Sequence, residues 1–172
     1  MFADPVKNLR AFDLEPSDIV ADLGAGTGFY AIAAAHMVPQ GKVYAIEIIK
    51  DFIVKIKSKV NEARLKNVET LWGDVEKPGG TKIGTEIVDK VLASNILFQV
   101  QDKNKFIGEA HRILKPGGKL MLIDWSPDLS ALVPKGAIPK AKARAMLEES
   151  GFTWQRDINA GEHHYGMIFK RK

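Results

Sequence analysis

Apolar residues along this chain fall into two alternating rhythms, short runs and longer stretches with helical spacing. Residues 18–24 (DIVADLG) form the first run and end on glycine, as a buried strand does. Residues 29–38 are apolar and Ala-rich, which predicts a helix stopped by Pro39, Gln40 and Gly41. Residues 42–47 (KVYAIE) predict a second strand. Asp51 can open the next helix, in which Phe52, Ile53, Ile56, Val60 and Ala63 recur at helical spacing. Residues 67–72 (NVETLW) predict a third strand, and residues 76–86, rich in Pro, Gly and Thr, a loop. A fourth strand is expected over 88–94 (VDKVLAS), then a helix over 102–114 with Phe106, Ile107, Ala110, Ile113 and Leu114 on one face. Lys115, Pro116, Gly117 and Gly118 read as its stop, and 119–125 (KLMLIDW) as a fifth strand. Pro139 suits the first position of a helix running to Ser150. Two more strands are expected near 153–158 and 165–170.

Strands that alternate with helices imply right-handed crossovers and a parallel sheet. The last two strands are joined by residues 159–164 alone, too short for a crossover helix, so they should form an antiparallel hairpin. The expectation is an α/β fold: a doubly wound, mostly parallel seven-stranded sheet with one reversed strand near an edge. At 172 residues the whole chain, 1–172, reads as a single domain.

Composition narrows the chemistry. There are no cysteines, which excludes disulfides, thiolate metal sites and a thiol nucleophile. No apolar run is long enough to cross a bilayer, and MFADPVKNLR lacks a signal-peptide layout, so a cytoplasmic protein is expected. The net charge of +4 is compatible with an anionic substrate or RNA, but a solvated surface is the favoured reading. The lysines between 50 and 66 fall mostly opposite the apolar stripe and are not interleaved with aromatics.

Ligands of parallel sheets sit beyond the carboxyl ends of the strands. There the sequence places Gly24-Ala25-Gly26-Thr27-Gly28 after the first strand, Glu47 after the second, Gly73-Asp74 after the third and Ser94-Asn95 after the fourth. Glycines let a ligand approach the backbone, and a helix start offers free N–H groups. Glu47 can accept both hydroxyls of a ribose. Asp74 can accept from an adenine amine, while Ile48 and Val75 offer apolar faces to the ring.

In their order, VADLGAGTG (20–28), VYAIE (43–47), WGDV (72–75), VDKVLASNILFQV (88–100) and RILKPGGKLMLIDW (112–125) resemble the class I S-adenosylmethionine-dependent methyltransferase family, closest to its type 11 branch. The resemblance covers nearly the whole chain and implies a Rossmann-like fold that binds S-adenosylmethionine and releases S-adenosylhomocysteine. It implies that Gly24, Ala25 and Gly26 line the methionine portion, with Asp22 helping to orient the ammonium. Glu47 would hold the ribose; Ile48, Gly73, Asp74 and Val75 would surround the adenine; Asn95, through its carbonyl, would take the ammonium. Leu97 and Phe98 replace the aromatic or histidine pair more usual in the family.

Methyl transfer is an in-line displacement, so positioning supplies much of the rate and a base is needed only for an acceptor that loses a proton. The candidates for chemistry are Asp124, at the end of the fifth strand, with His164 and Tyr165 beside the hairpin turn. No metal is expected, because two adjacent histidines point to opposite faces of a strand. Tyr30 reads as core. The motif of base-amine methylating enzymes is absent after the fourth strand, which favours a small-molecule or lipid-like acceptor. Only residues 1–16 and 126–138 could serve as a lid, so the acceptor site should be open, or closed by the partner in a homodimer. An RNA or protein acceptor is the alternative. A nicotinamide-dependent oxidoreductase is a further one, but Gly28 comes one place too early for its glycine pattern. A non-catalytic cofactor-binding module is the last.

Overall fold

The computed structural model describes residues 4–128 and 133–172. Its elements are α1 (Pro5–Ala11), β1 (Ile19–Leu23), α2 (Phe29–Met37), β2 (Lys42–Glu47), α3 (Lys50–Glu62), β3 (Val68–Trp72), β4 (Val88–Ser94), α4 (Lys103–Ile113), β5 (Leu114–Trp125), α5 (Lys140–Glu149), β6 (Phe152–Ile158) and β7 (His164–Arg171). The strands form one seven-stranded sheet in the order β3-β2-β1-β4-β5-β7-β6. All pairings are parallel except those of β7, which runs antiparallel to both β5 and β6. The expected hairpin and reversed strand are therefore present.

Side chains alternate across each strand and feed two cores. On one face Val20, Val43, Ala45, Leu92, Met121 and Ile123 meet α1, α2 and α3. On the other, Ala21, Ile46, Val91, Ala93, Leu120 and Leu122 meet α4 and α5. Burial on both faces explains why the strands read as continuous apolar runs. Ala31, Ala34 and Ala35 are buried in α2, and their small side chains let that helix lie close to the sheet.

Four local features differ from the sequence reading. First, α1 was not expected. Asp4 caps it by accepting from the N–H groups of Val6 and Lys7, and Pro5 fits at its start. Leu9 and Phe12 anchor it in the core, while Asn8 donates to the Tyr30 hydroxyl at 2.8 Å. Second, α4 ends at Ile113, before the Lys-Pro-Gly-Gly turn, and β5 already begins at Leu114. Leu114 pairs with Val88, and the extra residues are absorbed as a bulge before Lys119 pairs with Lys90. Pro116 disfavours helix at Lys115, so the segment extends the strand. Third, Pro139 is the N-cap of α5, extended at ψ 141°, and the helix starts at Lys140. Fourth, α3 starts at Lys50, with Asp51 inside its first turn. The expected 126–138 connection is described only at 126–128 and 133–138.

The lysines also behave differently from expectation. Lys50 lies 5.0 Å from the centre of the Trp72 ring, Lys55 5.4 Å from Phe52 and Lys59 4.1 Å from Phe29. Trp72 and Phe29 thus supply partners from other elements, while Phe52 lies on α3 itself. Each of these rings carries an amine over its face.

Candidate functional site

β1 and β2 place the glycine segment and Glu47 side by side, because Leu23 pairs with Ile46 in the parallel register. The N–H groups of Gly24 and Ala25 both donate to the Ile46 carbonyl, at 3.0 and 2.9 Å. Gly24, Gly26 and Gly28 have φ values of +72°, +56° and +86°, the left-handed region where a side chain is strained. Glu47 braces the turn. One carboxylate oxygen accepts from Gly26 N–H at 2.8 Å, and the other from Ile48 and Ile49 at 2.8 and 2.9 Å. Glu47 therefore also relieves free donors near the start of α3, where no side chain caps the helix.

The third strand tip is held in the same way. Gly73 N–H donates to the Glu47 carbonyl at 3.1 Å. Asp74 accepts from Glu76 N–H at 3.0 Å and faces Lys77 at 3.3 Å. The Trp72 indole N–H donates to the Ile48 carbonyl at 2.9 Å, fixing the rim that carries Ile48.

These tips enclose two cavities that meet at Gly24, Gly26 and Gln99. The first, about 230 Å³, is lined by Glu47, Ile48, Gly73, Asp74 and Val75, with Ile96 among the remaining walls. The second, about 570 Å³, is lined by Asp22, Ala25, Tyr30, Ser94, Asn95 and His164, with Pro5 and Phe29 among the rest. Every residue expected to hold the donor lines one of these lobes.

The second lobe collects buried polar atoms that have no partner within the protein. They are Asp22 Oδ2, Ser94 Oγ, Asn95 Oδ1 and both ring nitrogens of His164. Such atoms are normally satisfied, so a concentration of them at one cavity points to a ligand. Burial pushes the Asp22 carboxyl up to about 7, the Ala31 N–H opposes this, and the charge of Glu47 adds to the rise. Burial lowers the His164 imidazole from its ordinary value, helped by His163. Asn95 presents its backbone carbonyl to the Gln99 amide at 2.6 Å, so the side-chain oxygen is the bare one.

The three candidates for chemistry are placed differently. His164 stands on the wall of the second lobe, its ring 4.3 Å from that of Trp125. It is shared with a further cavity of about 350 Å³, which also takes in Tyr165. The Tyr165 hydroxyl is buried without a partner, and burial raises its pKa. Asp124 lines none of these cavities: it accepts from Trp125 N–H at 2.7 Å and from Phe98 N–H at 3.3 Å. Burial raises its carboxyl to about 6, against the pull of those amides. It clamps the segment after β4. No group of three or more His, Asp or Glu able to hold a metal occurs among the described residues.

Tyr30, read from the sequence as core, is buried but also lines the second lobe, as do Pro5, Phe29 and Gln99. The available signal was the position of Phe29 and Tyr30 in the first turn after Gly28, which turns them back toward the strand tips. Pro5 carried no signal, because α1 was not foreseen.

The residues fit a nucleoside joined to an amino acid. One lobe has the Glu47 carboxylate and apolar walls. The other has bare polar atoms suited to an ammonium and a carboxylate. Between them, a Cβ added at Gly26 would meet nothing within 4 Å, which leaves the backbone open to a ligand. The sheet order, the glycine turn and the acidic strand tips together define a nucleoside-binding α/β domain of the S-adenosylmethionine-dependent type. The chain belongs to the methyltransferase domain family, whose model it matches over residues 14–170.

Relatives agree. An arsenite methyltransferase of Halobacterium salinarum is 28% identical over 159 residues, covering 84% of this chain and 40% of that protein. A demethylmenaquinone methyltransferase of Bacillus mycoides is 30% identical over 122 residues, covering 70% of this chain and 50% of that protein. The chain thus spans half or less of the length of these curated relatives. The crystal structure of a SAM-dependent methyltransferase from Aquifex aeolicus superposes with a TM-score of 0.90 at 29% identity, covering 99% of this chain and 91% of that one. The [4+2]-cyclase SpnF shares the fold alone, with a TM-score of 0.83 at 15% identity over 96% of this chain and 79% of that one.

Proposed function

We propose that this chain transfers a methyl group from S-adenosylmethionine to a small-molecule or lipid-like acceptor. The observation that carries this reading is the pair of cavities joined at the glycine turn, one suited to a nucleoside and the other holding unpartnered polar atoms. The relatives that act on arsenite and on demethylmenaquinone support a small acceptor. When bound, S-adenosylmethionine supplies a methyl group on a positively charged sulfur.

The protein contributes position and environment. Glu47 holds the turn through three N–H groups, lines the first lobe and keeps one lone-pair site free. Ile48 and Val75 give that lobe apolar walls. Asp22, Asn95 and Ser94 receive the amino-acid end. Orienting an acceptor at about 3 Å from the reacting carbon supplies much of the rate of a displacement. His164, kept neutral by burial, offers a ring nitrogen that can take a proton from an acceptor O–H or N–H.

Calorimetry with S-adenosylmethionine and S-adenosylhomocysteine tests the donor site, and micromolar binding of either is expected. Labelled methyl transfer into the small-molecule fraction of a cell extract tests the acceptor class. Label appearing only in RNA or protein would refute the small acceptor while leaving the donor site intact.

A further inference from the structure

The second lobe does not end at Pro5 and Phe29. The same two residues line another cavity of about 520 Å³, which runs between α1, α2 and α3 with Val6, Ile32 and Ala33 among its walls. The two spaces differ in chemistry. The lobe holds the bare polar atoms of Ser94, Asn95 and His164. The groove is walled mainly by hydrocarbon and contains two exposed apolar side chains, Phe29 at 68% and Val6 at 43%. Phe29 and Val6 lie together on this groove, so they form an exposed apolar patch rather than scattered single residues.

Phe29 is also held in place. The Lys59 amine sits 4.1 Å from its ring centre and donates to the Thr27 carbonyl at 2.8 Å. Thr27 belongs to the glycine turn and lines the second lobe. The ring is therefore a fixed post between lobe and groove, backed by the element that shapes the donor site. A molecule reaching from one space into the other must combine a hydrogen-bonding end with an apolar body.

We propose, resting on the methyltransferase reading above, that the acceptor is an amphiphile. Its polar head enters the lobe at His164, beside the donor's amino-acid end, and its apolar tail crosses Phe29 into the groove between α1, α2 and α3. A second copy of the chain or a partner helix could cover the groove alone, but neither explains why the groove shares Pro5 and Phe29 with the second lobe.

The test uses para-alkylphenols, from ethyl to hexyl, titrated calorimetrically into the full chain saturated with S-adenosylhomocysteine. Burial of hydrocarbon is expected to tighten binding at least twofold for each added methylene, against about three- to fourfold for complete burial. Ala33→Trp fills the groove away from the donor site. It should abolish the gain with chain length while leaving binding of S-adenosylhomocysteine and of the ethyl compound unchanged. Val6→Lys, at an exposed position, tests the same wall where the tryptophan variant fails to fold, and should reduce the gain. S-adenosylhomocysteine bound normally with no dependence on alkyl length overturns the proposal alone. A chain-length gain that survives both variants also overturns it, since the tail would lie elsewhere. So does a concentration-dependent dimer in sedimentation that Val6→Lys dissociates, since the groove would then be covered by a second copy. Absence of S-adenosylhomocysteine binding would instead refute the donor site, and the acceptor proposal with it.

Discussion

Asp22 and Glu47 are both buried carboxylates beneath the glycine turn, yet their surroundings treat them oppositely. Glu47 has three N–H donors on its two oxygens, whereas Asp22 keeps one oxygen bare and is pushed up to about 7. A carboxyl raised in the folded state stabilises fully below its unfolded value of 3.8, and that contribution is lost as pH rises through about 7. Asp22→Asn removes the buried charge. It should raise the melting temperature at pH 8 by an amount worth at least about 1 kcal/mol, with the gain shrinking as pH falls from about 7 toward 3.8. Thermal scans across pH check this, and a gain independent of pH would contradict it. The same variant should weaken S-adenosylhomocysteine binding, because the polar partner of its ammonium is lost. Gly26 makes a complementary case. A Cβ there meets no protein atom within 4 Å but enters a backbone region at φ +56°. Gly26→Ala should therefore fold with a modest loss of about 1–2 kcal/mol, yet bind S-adenosylhomocysteine at least tenfold more weakly by calorimetry. At Gly73 the added Cβ would lie 2.4 Å from the Gly80 carbonyl oxygen, so Gly73→Ala should damage folding itself.

Among the elements, the segment between β3 and β4 has no regular structure, and α4 pins it. Glu109, 2% exposed, accepts from the N–H groups of Gly79 and Thr81 at 2.9 and 3.2 Å and from the Thr81 hydroxyl at 2.6 Å. Arg112 donates to Glu109 and also to the Ile83 carbonyl, tying the far side of the segment. Glu109→Gln keeps the size but sets an amide N–H₂ against donors. It should cost about 2–3 kcal/mol in chemical denaturation and speed hydrogen exchange at Gly79 and Thr81. Unchanged exchange there would show the segment to be held by other means. Nothing in the sequence marked Glu109, since an acidic residue on an amphipathic helix ordinarily faces water. By contrast, the strands over 42–47 and 88–94 were legible to the residue, because burial on both faces forces continuous apolar runs between breakers. The lining of the two lobes was legible for a related reason: its residues follow strand ends, whose positions the runs reveal. α1 was not, because Leu9 and Phe12 acquire their meaning only from the core they enter and Asn8 from Tyr30, contacts remote in sequence. The Lys-Pro-Gly-Gly turn misled because breakers that end a helix equally suit a bulged strand start, and pairing with Val88 decides between them.

At the scale of the whole molecule, several buried titrating groups oppose one another, and their balance fixes where the protein is most stable. Glu109, with Arg112 and Thr81 overcoming the effect of burial, is lowered from 4.5 to about 2, so its contribution is present above 4.5 and lost as pH falls toward 2. The imidazoles of His111 and His164 are lowered from 6.5 by burial, so their neutral forms favour folding above that value and oppose it progressively below. Asp124 and Asp22, raised to about 6 and about 7, work in the other direction and withdraw stability as pH rises from 3.8 through those values. In the ligand-free protein Glu109 and the two histidines thus withdraw stability on acidification, whereas Asp22 and Asp124 withdraw it as pH rises toward 7. Asp22 is the group on the alkaline flank that lines the second lobe, whereas Asp124 accepts from the amides of Trp125 and Phe98 and lines neither lobe. Saturation with S-adenosylhomocysteine should therefore raise stability more at pH 8 than at pH 5, because the charged form of Asp22 gains a cationic partner. By linkage, affinity should rise with pH through about 7. Paired calorimetric melts with and without S-adenosylhomocysteine measure this, and Asp22→Asn should remove most of the pH dependence. An equal shift at both pH values in the unaltered protein would mean that Asp22 does not meet the ligand and that the ammonium is held by the side-chain oxygen of Asn95.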